Sequence, residues 1–346
     1  QELTAALLRV DVANTYTVFY NEPQTAEVVA PLDGLFHLTL DLPTKPWRMS
    51  VLLSHLAHRS QDHLAPGVDI FHATDNLLPY FTRVRTVFTL HDLVFRFHPA
   101  THKPLNRWFL TLGMPFFLRR ADAIITVSEW TKRDAVRLYG IPEAKITVIH
   151  EGVDPRFRRQ SAEQIGAARR RYGLPEQYVL YVGTIEPRKN LIALLEAYAL
   201  LRGQHALADS YRLVFVGKKG WLYEPFFRRL RQLALADQVI FTGFVPDDDL
   251  PALYGGADVF VFPSIYEGFG LPVLEALACG TPVVCSNASS LPEVAGDAAL
   301  MVDAGDVAGL ASAIRRLIED QELRASLSAR GVVQAQRFTW EGTARQ

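Results

Sequence analysis

The sequence predicts an α/β protein of two doubly wound, Rossmann-like parallel-sheet domains facing across a cleft. Three observations carry that expectation. Short β-rich runs alternate with helical patterns along nearly the whole chain, the order required by parallel sheets covered on both faces by helices. The 346 residues are about twice a common domain length, and 49% of them are apolar, enough for a core in each half. Between the halves, EGVDPRFRRQS replaces periodic apolar residues with Gly, Pro and charge, as a linker does. The expected domains are 1–153 and 154–346.

In the first half, strands are expected at TYTVFY, LFHLTL, VDIFHA, TVFTLHD, ADAIITVS and KITVIHEG, with helices over Pro46 to Arg59, Leu105 to Arg119 and Glu129 to Tyr139. The second half repeats the scheme with YVLYVG, RLVFVG, QVIFTG, DVFVFPS, TPVVCS and AALMVD, separated by helices such as LIALLEAYALL and VAGLASAIRRLIED. The halves share architecture and not sequence, so this is a pair of similar domains rather than a repeat array. The chain begins with Gln, and QELTAALLRV already reads as the inside of an amphipathic helix. The expectation is that the first structural element is missing from it.

With 36 basic and 37 acidic residues, no global field draws nucleic acid or an anionic membrane, so partners must be argued from local sites. Two cysteines, Cys279 and Cys285, sit in apolar runs and read as buried thiols of a reducing cytosol rather than a disulfide framework. No signal peptide is evident, and no apolar run approaches the roughly 20 residues that span a bilayer.

Two stretches carry chemistry. In EGFGLPVLE, Glu267 to Glu275, a strand gives way to a glycine loop and then a helix, with Pro272 suited to the first helical position and Gly280 closing it. Gly268 and Gly270 let backbone approach a ligand, and the helix start offers free N–H groups to an anion, phosphate best of all. An ionised carboxylate only accepts hydrogen bonds, and its two oxygens match vicinal hydroxyls. Sugar hydroxyls on both sides of a diphosphate fit that pattern, which is a nucleotide sugar. A plain turn with a solvated Glu275 is the alternative that a lone glycine turn would favour. In YVGTIEPRKN, a strand ends in Gly183, and Arg188 and Lys189 stand just before a helix expected to be capped by Asn190. Two cations there can neutralise a diphosphate, Arg by paired hydrogen bonds and Lys as a point charge. A surface charge pair near a cap is the alternative.

GTIEPRKN, FVGKKGW, FTGFVPDDDLPALYGGADVFVFPS, EGFGLPVLEALACGTPVV and SSLPEVAGDAAL together resemble the second domain of the retaining glycosyltransferases of family 4, which have the GT-B fold. TLHDL, DAIITVSEWTKRD and ITVIHEGVD match in the first half, so the resemblance spans nearly the whole chain. EGFGLPVLE is similar to the family's E-x7-E signature. The resemblance implies that Glu267 contacts hydroxyls of the transferred sugar and Glu275 those of the ribose. Lys189, with Arg188, would hold the departing diphosphate. Gly183, Thr184, Gly268 and Phe269 would lie along the donor site, Gly270 and Leu271 would offer backbone N–H groups, and Phe244 and Val245 would lie near the base. His91 would approach the donor sugar. Many relatives carry Arg where this chain has Thr184, which bears on the number of phosphate cations. They also begin with a strand and a glycine-rich loop that do not precede QELTAALLRV here.

The implied activity is transfer of a hexose-like sugar from a nucleoside diphosphate to a hydroxyl of a glycan or lipid-linked acceptor in polysaccharide synthesis, with mannose from GDP-mannose as the donor to try first. No cofactor or metal is expected, since cations and a helix start face the phosphates. Asp247, Asp248 and Asp249 read as helix-capping residues rather than a metal motif. His72 reads as structural. PLNRWFLTLGMPFFLRR, Pro104 to Arg120, reads as a core-facing helix with snorkelling Arg ends, with peripheral contact at the inner face of a membrane as the alternative. A non-catalytic sugar-nucleotide-binding subunit, a GT-B epimerase and a glycoside hydrolase remain rival readings, the last opposed by the cations, since it needs carboxylates alone.

Overall fold

The computed structural model describes residues 2–21 and 35–346; Gln1, the first residue of the amphipathic start, lies outside them. The chain divides into two compact units, Gln1–Gly152 with Trp340–Gln346, and Val153–Thr339.

In the first unit the order is α1 (Glu2–Val10), β1 (Thr17–Asn21), β2 (Phe36–Leu40), α2 (Thr44–Leu56), β3 (Ile70–Ala73), β4 (Arg85–Leu90), α3 (Val94–Phe97), α4 (Pro104–Arg120), β5 (Ala123–Thr126), α5 (Glu129–Tyr139) and β6 (Ile146–Val148). Strands β3, β4, β5 and β6 form a parallel sheet in that order, while β1 and β2 pair in parallel as a separate ribbon. Trp47, Val51, Phe88, Phe109, Met114 and Phe117 close the core between α2, α4 and the sheet. Helix α5 shows how local chemistry sets an element: Ser128 accepts the amide of Thr131 at its start, and Gly140 ends it at φ +61°.

In the second unit follow α6 (Ala162–Tyr172), β7 (Tyr178–Val182), α7 (Leu191–Gly203), β8 (Arg212–Val216), α8 (Glu224–Gln232), β9 (Val239–Gly243), α9 (Leu250–Gly255), β10 (Val259–Phe262), α10 (Leu271–Ala278), β11 (Val283–Ser286), α11 (Leu291–Ala295), β12 (Ala299–Val302), α12 (Val307–Glu319) and α13 (Gln321–Ala335). The sheet order is β12-β11-β10-β7-β8-β9, all parallel. Every residue of YVLYV and VFVF in the two middle strands is buried, which explains their continuous apolar character. The chain winds outward from β7 to β9, then returns to the middle and winds the other way from β10. The adjacent carboxyl ends of β7 and β10 are thus a topological switch point, where open α/β sheets bind ligands.

One domain limit needs correction. The last helix, α14 (Trp340–Arg345), was expected in the second domain and packs in the first unit, where Arg9 reaches Glu341 at 2.7 Å and Thr343 donates to the His150 carbonyl at 2.7 Å. Its short, mixed sequence carries no signal for its partner; tertiary contact places it.

Candidate active site

The two motifs found in the sequence meet at the switch point. After β7, a turn through Gly183 and Thr184 leads to a short 3-10 segment, Pro187–Lys189. After β10, Pro263 to Gly270 leads into α10. Arg188 and Lys189 from the first loop both grip Glu267 from the second: Arg188 Nη1 lies 2.6 Å from Oε2 and Lys189 Nζ 2.7 Å from Oε1. Ser264 donates a further hydrogen bond to Oε1, and the Glu267 amide donates to Ser289 Oγ at 2.7 Å. Arg188 Nη2 also holds Glu186 at 2.7 Å, and Nη1 donates to the Tyr266 carbonyl at 2.9 Å. Two cations and two carboxylates therefore share one largely dry pocket wall, formally neutral when all four are charged.

Burial alone would raise the Glu267 pKa, but the adjoining Lys189 and Arg188 charges and the bonds from Lys189 and Ser264 bring it down to about 2. Burial lowers Lys189, which rests over the Phe262 ring at 4.8 Å, with Glu267 opposing that shift. Burial raises Glu186, whose Oε2 has no hydrogen-bond partner among the described residues.

Glu275 sits one turn into α10 in a different setting. Its Oε2 accepts the Tyr254 hydroxyl at 2.8 Å, and no cation pairs with it among the described residues. Burial pushes it up to about 7; the Tyr254 hydroxyl opposes the shift, while the Asp247 and Asp154 charges add to it.

The start of α10 is shaped for close approach. Gly270 stands at φ +120°, and a Cβ there would lie 2.7 Å from Leu291 Cδ2. Among the described residues no acceptor takes the amides of Gly270 and Leu271. Gly268 is buried beside them, and Gly183 and Thr184 are half-buried at the end of β7. Phe244 is 63% exposed, with Lys218 Nζ 4.6 Å above its ring.

Val245 is buried, and Phe269 is buried against Phe338 at 5.7 Å. Several expectations are corrected here. Asn190 stands at the start of α7 at φ +55°, but its side chain donates to the Ala304 carbonyl at 2.7 Å instead of capping the helix. Pro272 is the second residue of α10, not the first. The aspartates before α9 make no capping bond: Asp248 pairs with Arg156 at 3.1 Å, and Asp249 with Arg171 at 2.9 Å and with the Tyr172 hydroxyl. Arginines contributed by distant helices and loops outcompete the local amides.

In the first unit, His91 follows β4. Nε2 lies 3.0 Å from the Thr74 carbonyl and Nδ1 3.4 Å from Glu151. Burial acts to lower its pKa, but the Glu151 carboxylate and the Thr74 carbonyl raise it to about 9, so the surroundings favour the protonated ring. His72 is bonded to Thr89 at 2.7 Å.

Sequence reasoning did not single out Glu186, Ser264, Ser289, Tyr254 or Gly217. A Cβ on Gly217, at φ +136°, would collide with the Gly183 carbonyl oxygen, so only glycine lets the ends of β7 and β8 close up. The available signal was positional: Ser264 and Gly217 are each the last residue of an expected strand run, just beyond the observed end of β10 and β8.

Comparison with known proteins identifies the family. Residues 166–332 match the model of glycosyl transferases group 1, and residues 1–157 match that of glycosyltransferase family 4. The chain is 37% identical over 278 residues to the O-antigen chain mannosyltransferase B of Escherichia coli, covering 80% of this chain and 72% of that protein. It is 36% identical over 270 residues to the serotype-specific mannosyltransferase WbdA of the same species, 75% of this chain but 32% of that protein. A D-inositol 3-phosphate glycosyltransferase of Acidothermus cellulolyticus is 39% identical over 242 residues, 67% of this chain and 53% of that one. Among solved structures, the sucrose-phosphate synthase of Thermosynechococcus elongatus superposes with a TM-score of 0.80 at 24% identity, over 100% of this chain and 90% of that one. WaaG, a glycosyltransferase involved in lipopolysaccharide biosynthesis, gives 0.72 at 16% identity, over 99% and 92%. With two Rossmann-like parallel-sheet units and these matches across both, the chain belongs to the group 1 glycosyltransferases of GT-B fold.

Proposed function

We propose that the protein transfers a hexose, mannose from GDP-mannose being the first case to test, to a hydroxyl of a glycan or lipid-linked acceptor, with retention at the anomeric carbon. The observation that carries this reading is the meeting of Glu267, Arg188 and Lys189 at the switch point, beside the unpartnered amides that open α10. Supporting it, the relatives named above include mannosyltransferases of O-antigen chains, and a solved relative of the same fold, Anabaena HepE, holds UDP and glucose.

In this reading the diphosphate enters where Lys189 has two N–H groups beyond the one given to Glu267, and the Gly270 and Leu271 amides complete its shell. Glu267 accepts the sugar's hydroxyls, and Glu275 those of the ribose. Arg188 mainly orients Glu267, because its guanidinium is engaged by Glu186, Glu267 and the Tyr266 carbonyl. His91 acts toward the donor sugar on the ground of resemblance alone. Catalysis is electrostatic: positive groups stabilise the leaving diphosphate as the sugar gains positive charge, and the leaving oxygen takes the acceptor's proton on the same face. No step calls on a metal, so a chelator should leave the rate unchanged. Both cysteines are buried free thiols, which fits a reducing, cytoplasmic setting.

The test is calorimetric titration of GDP, UDP, ADP and dTDP, followed by nuclear magnetic resonance of the product formed from the matching nucleotide sugar. One nucleotide should bind selectively and the product should keep the donor's anomeric configuration. Binding of none, or release of free sugar as the main product, would remove the proposal.

A further inference from the structure

Two buried serines precede helix α11, and both turn their hydroxyls to the loop that carries Glu267. Ser289 Oγ accepts the Glu267 amide at 2.7 Å, and its own proton goes to the Ala288 carbonyl at 2.8 Å. Ser290 Oγ lies 3.0 Å from the Glu267 carbonyl and 2.7 Å from that of Phe269. Ser290 occupies the cap position of α11 yet makes no capping bond, so its hydroxyl serves the loop and not its own helix. The backbone of Glu267 is thus held on both sides, at its amide and at its carbonyl.

Ser289 is kept in a conformation that a serine resists. Its φ is +50°, in the left-handed region, where a Cβ crowds the following carbonyl. Five other non-glycine residues among the described ones share this region, at φ +52° to +55°. His58, His205, Leu222 and Ala234 are exposed, and Asn190 is half-buried and of a type that enters the region readily. Ser289 is the buried one of the six, and its side chain is bonded to the candidate site. Glycine would adopt this conformation without the clash, but it has no hydroxyl. The Glu267 amide, which has no other acceptor among the described residues, would be left buried and unpaired. Strain retained where a relaxed residue would serve the backbone better points to a constraint from function.

We propose that Ser289 is a positioning residue for the transfer reaction: its hydroxyl fixes the amide of Glu267 and so aims the carboxylate at the sugar. Lys189, Arg188 and Ser264 hold the carboxylate oxygens, and Ser289 holds the other end of the same residue, which leaves Glu267 no freedom to pivot. A small misplacement of such a group slows a reaction far more than it weakens binding. The inference rests on the reading of Glu267 as the sugar contact and adds the residue that aims it.

Ser289→Ala and Ser289→Gly separate hydroxyl from strain. Both remove the acceptor, and only glycine also relaxes the backbone. Turnover with GDP-mannose and a mannoside acceptor should fall about tenfold or more in both variants. Affinity for GDP, which in this reading meets Glu275 and the α10 amides instead of Glu267, should be unchanged by calorimetry. The glycine variant should nevertheless melt about 2–4 °C above the alanine variant, from relief of one left-handed residue in a domain of this size. A serine kept for packing alone would lower the melting midpoint and leave turnover as it is. Undiminished turnover in either variant, with Glu267→Ala inactive, overturns this inference and leaves the reading of Glu267 standing. So does a loss of GDP affinity as large as the loss of turnover, because the whole loop, and not the aim of Glu267, then depends on Ser289. A glycine variant that melts no higher than the alanine variant overturns the strain and the proposal together. If Glu267→Ala transfers mannose as well as the parent, the reading of the site falls and this inference with it.

Discussion

Glu267 and Glu275 belong to one loop and helix, eight positions apart, the first buried and the second half-buried, yet their carboxyls are driven in opposite directions. Glu267 falls to about 2 and Glu275 rises to about 7. Burial acts upward on both. The difference lies in what each meets: two cations and a serine hydroxyl at Glu267, one tyrosine hydroxyl and two distant aspartates at Glu275. Desolvation sets the size of the stake, and the partner sets its sign. One carboxylate is fixed as an anion under all physiological conditions, while its neighbour can take up a proton near neutrality.

The largest test is Glu267→Ala. It strands Arg188 and Lys189 in a dry site with only Glu186, and should cost about 3–5 kcal/mol in urea unfolding as well as abolishing transfer. A loss below about 1 kcal/mol, the scale of an exposed pair, would mean that water screens the cluster and the comparison fails.

Next comes Glu275→Gln. The folded-state value near 7 exceeds the ordinary 4.5, so folding favours the protonated form. That stabilisation is fully present below 4.5 and is lost as pH rises through about 7, leaving the parent less stable at pH 8 than at pH 5 by at most about 3 kcal/mol. The amide has no proton to lose, so the variant's profile should be flatter across this window. Glu267 acts with the opposite sign: its stabilisation is present above 4.5 and is lost as pH falls toward about 2. On the proposed ribose contact, nucleotide affinity should rise with pH through about 7 in the parent and not in the glutamine variant; calorimetry at pH 6 and pH 8 reads this directly.

Smaller effects come from the single hydroxyls. Ser264→Ala removes one donor to Glu267 and should cost about 1–1.5 kcal/mol while moving that carboxyl upward. Tyr254→Phe removes the bond that opposes the rise at Glu275. Its carboxyl should titrate higher still by carbon nuclear magnetic resonance, with a stability change of about 1 kcal/mol or less. A downward move would show that the tyrosine is not the donor.

The α/β alternation and every strand named in the sequence reading have counterparts in the structure, because parallel strands buried on both faces must be short apolar runs. The two site motifs were legible for a related reason: a carboxyl strand end, a glycine turn and a helix start are local features. The acid run before α9 looked like capping because only local amides are visible in sequence, whereas Arg156 and Arg171 arrive from elsewhere.

By itself the sequence determined the period of each element, the loops that follow β7 and β10, and which residues there can carry charge or accept hydroxyls. Only the tertiary structure decided that Arg188 and Lys189 close on Glu267, that the Tyr254 hydroxyl attends Glu275, and that α14 joins the first unit. Periodicity and turn chemistry act over a few residues along the chain. Ion pairing and desolvation act over a few ångströms in space, between residues 78 positions apart in the case of Lys189 and Glu267.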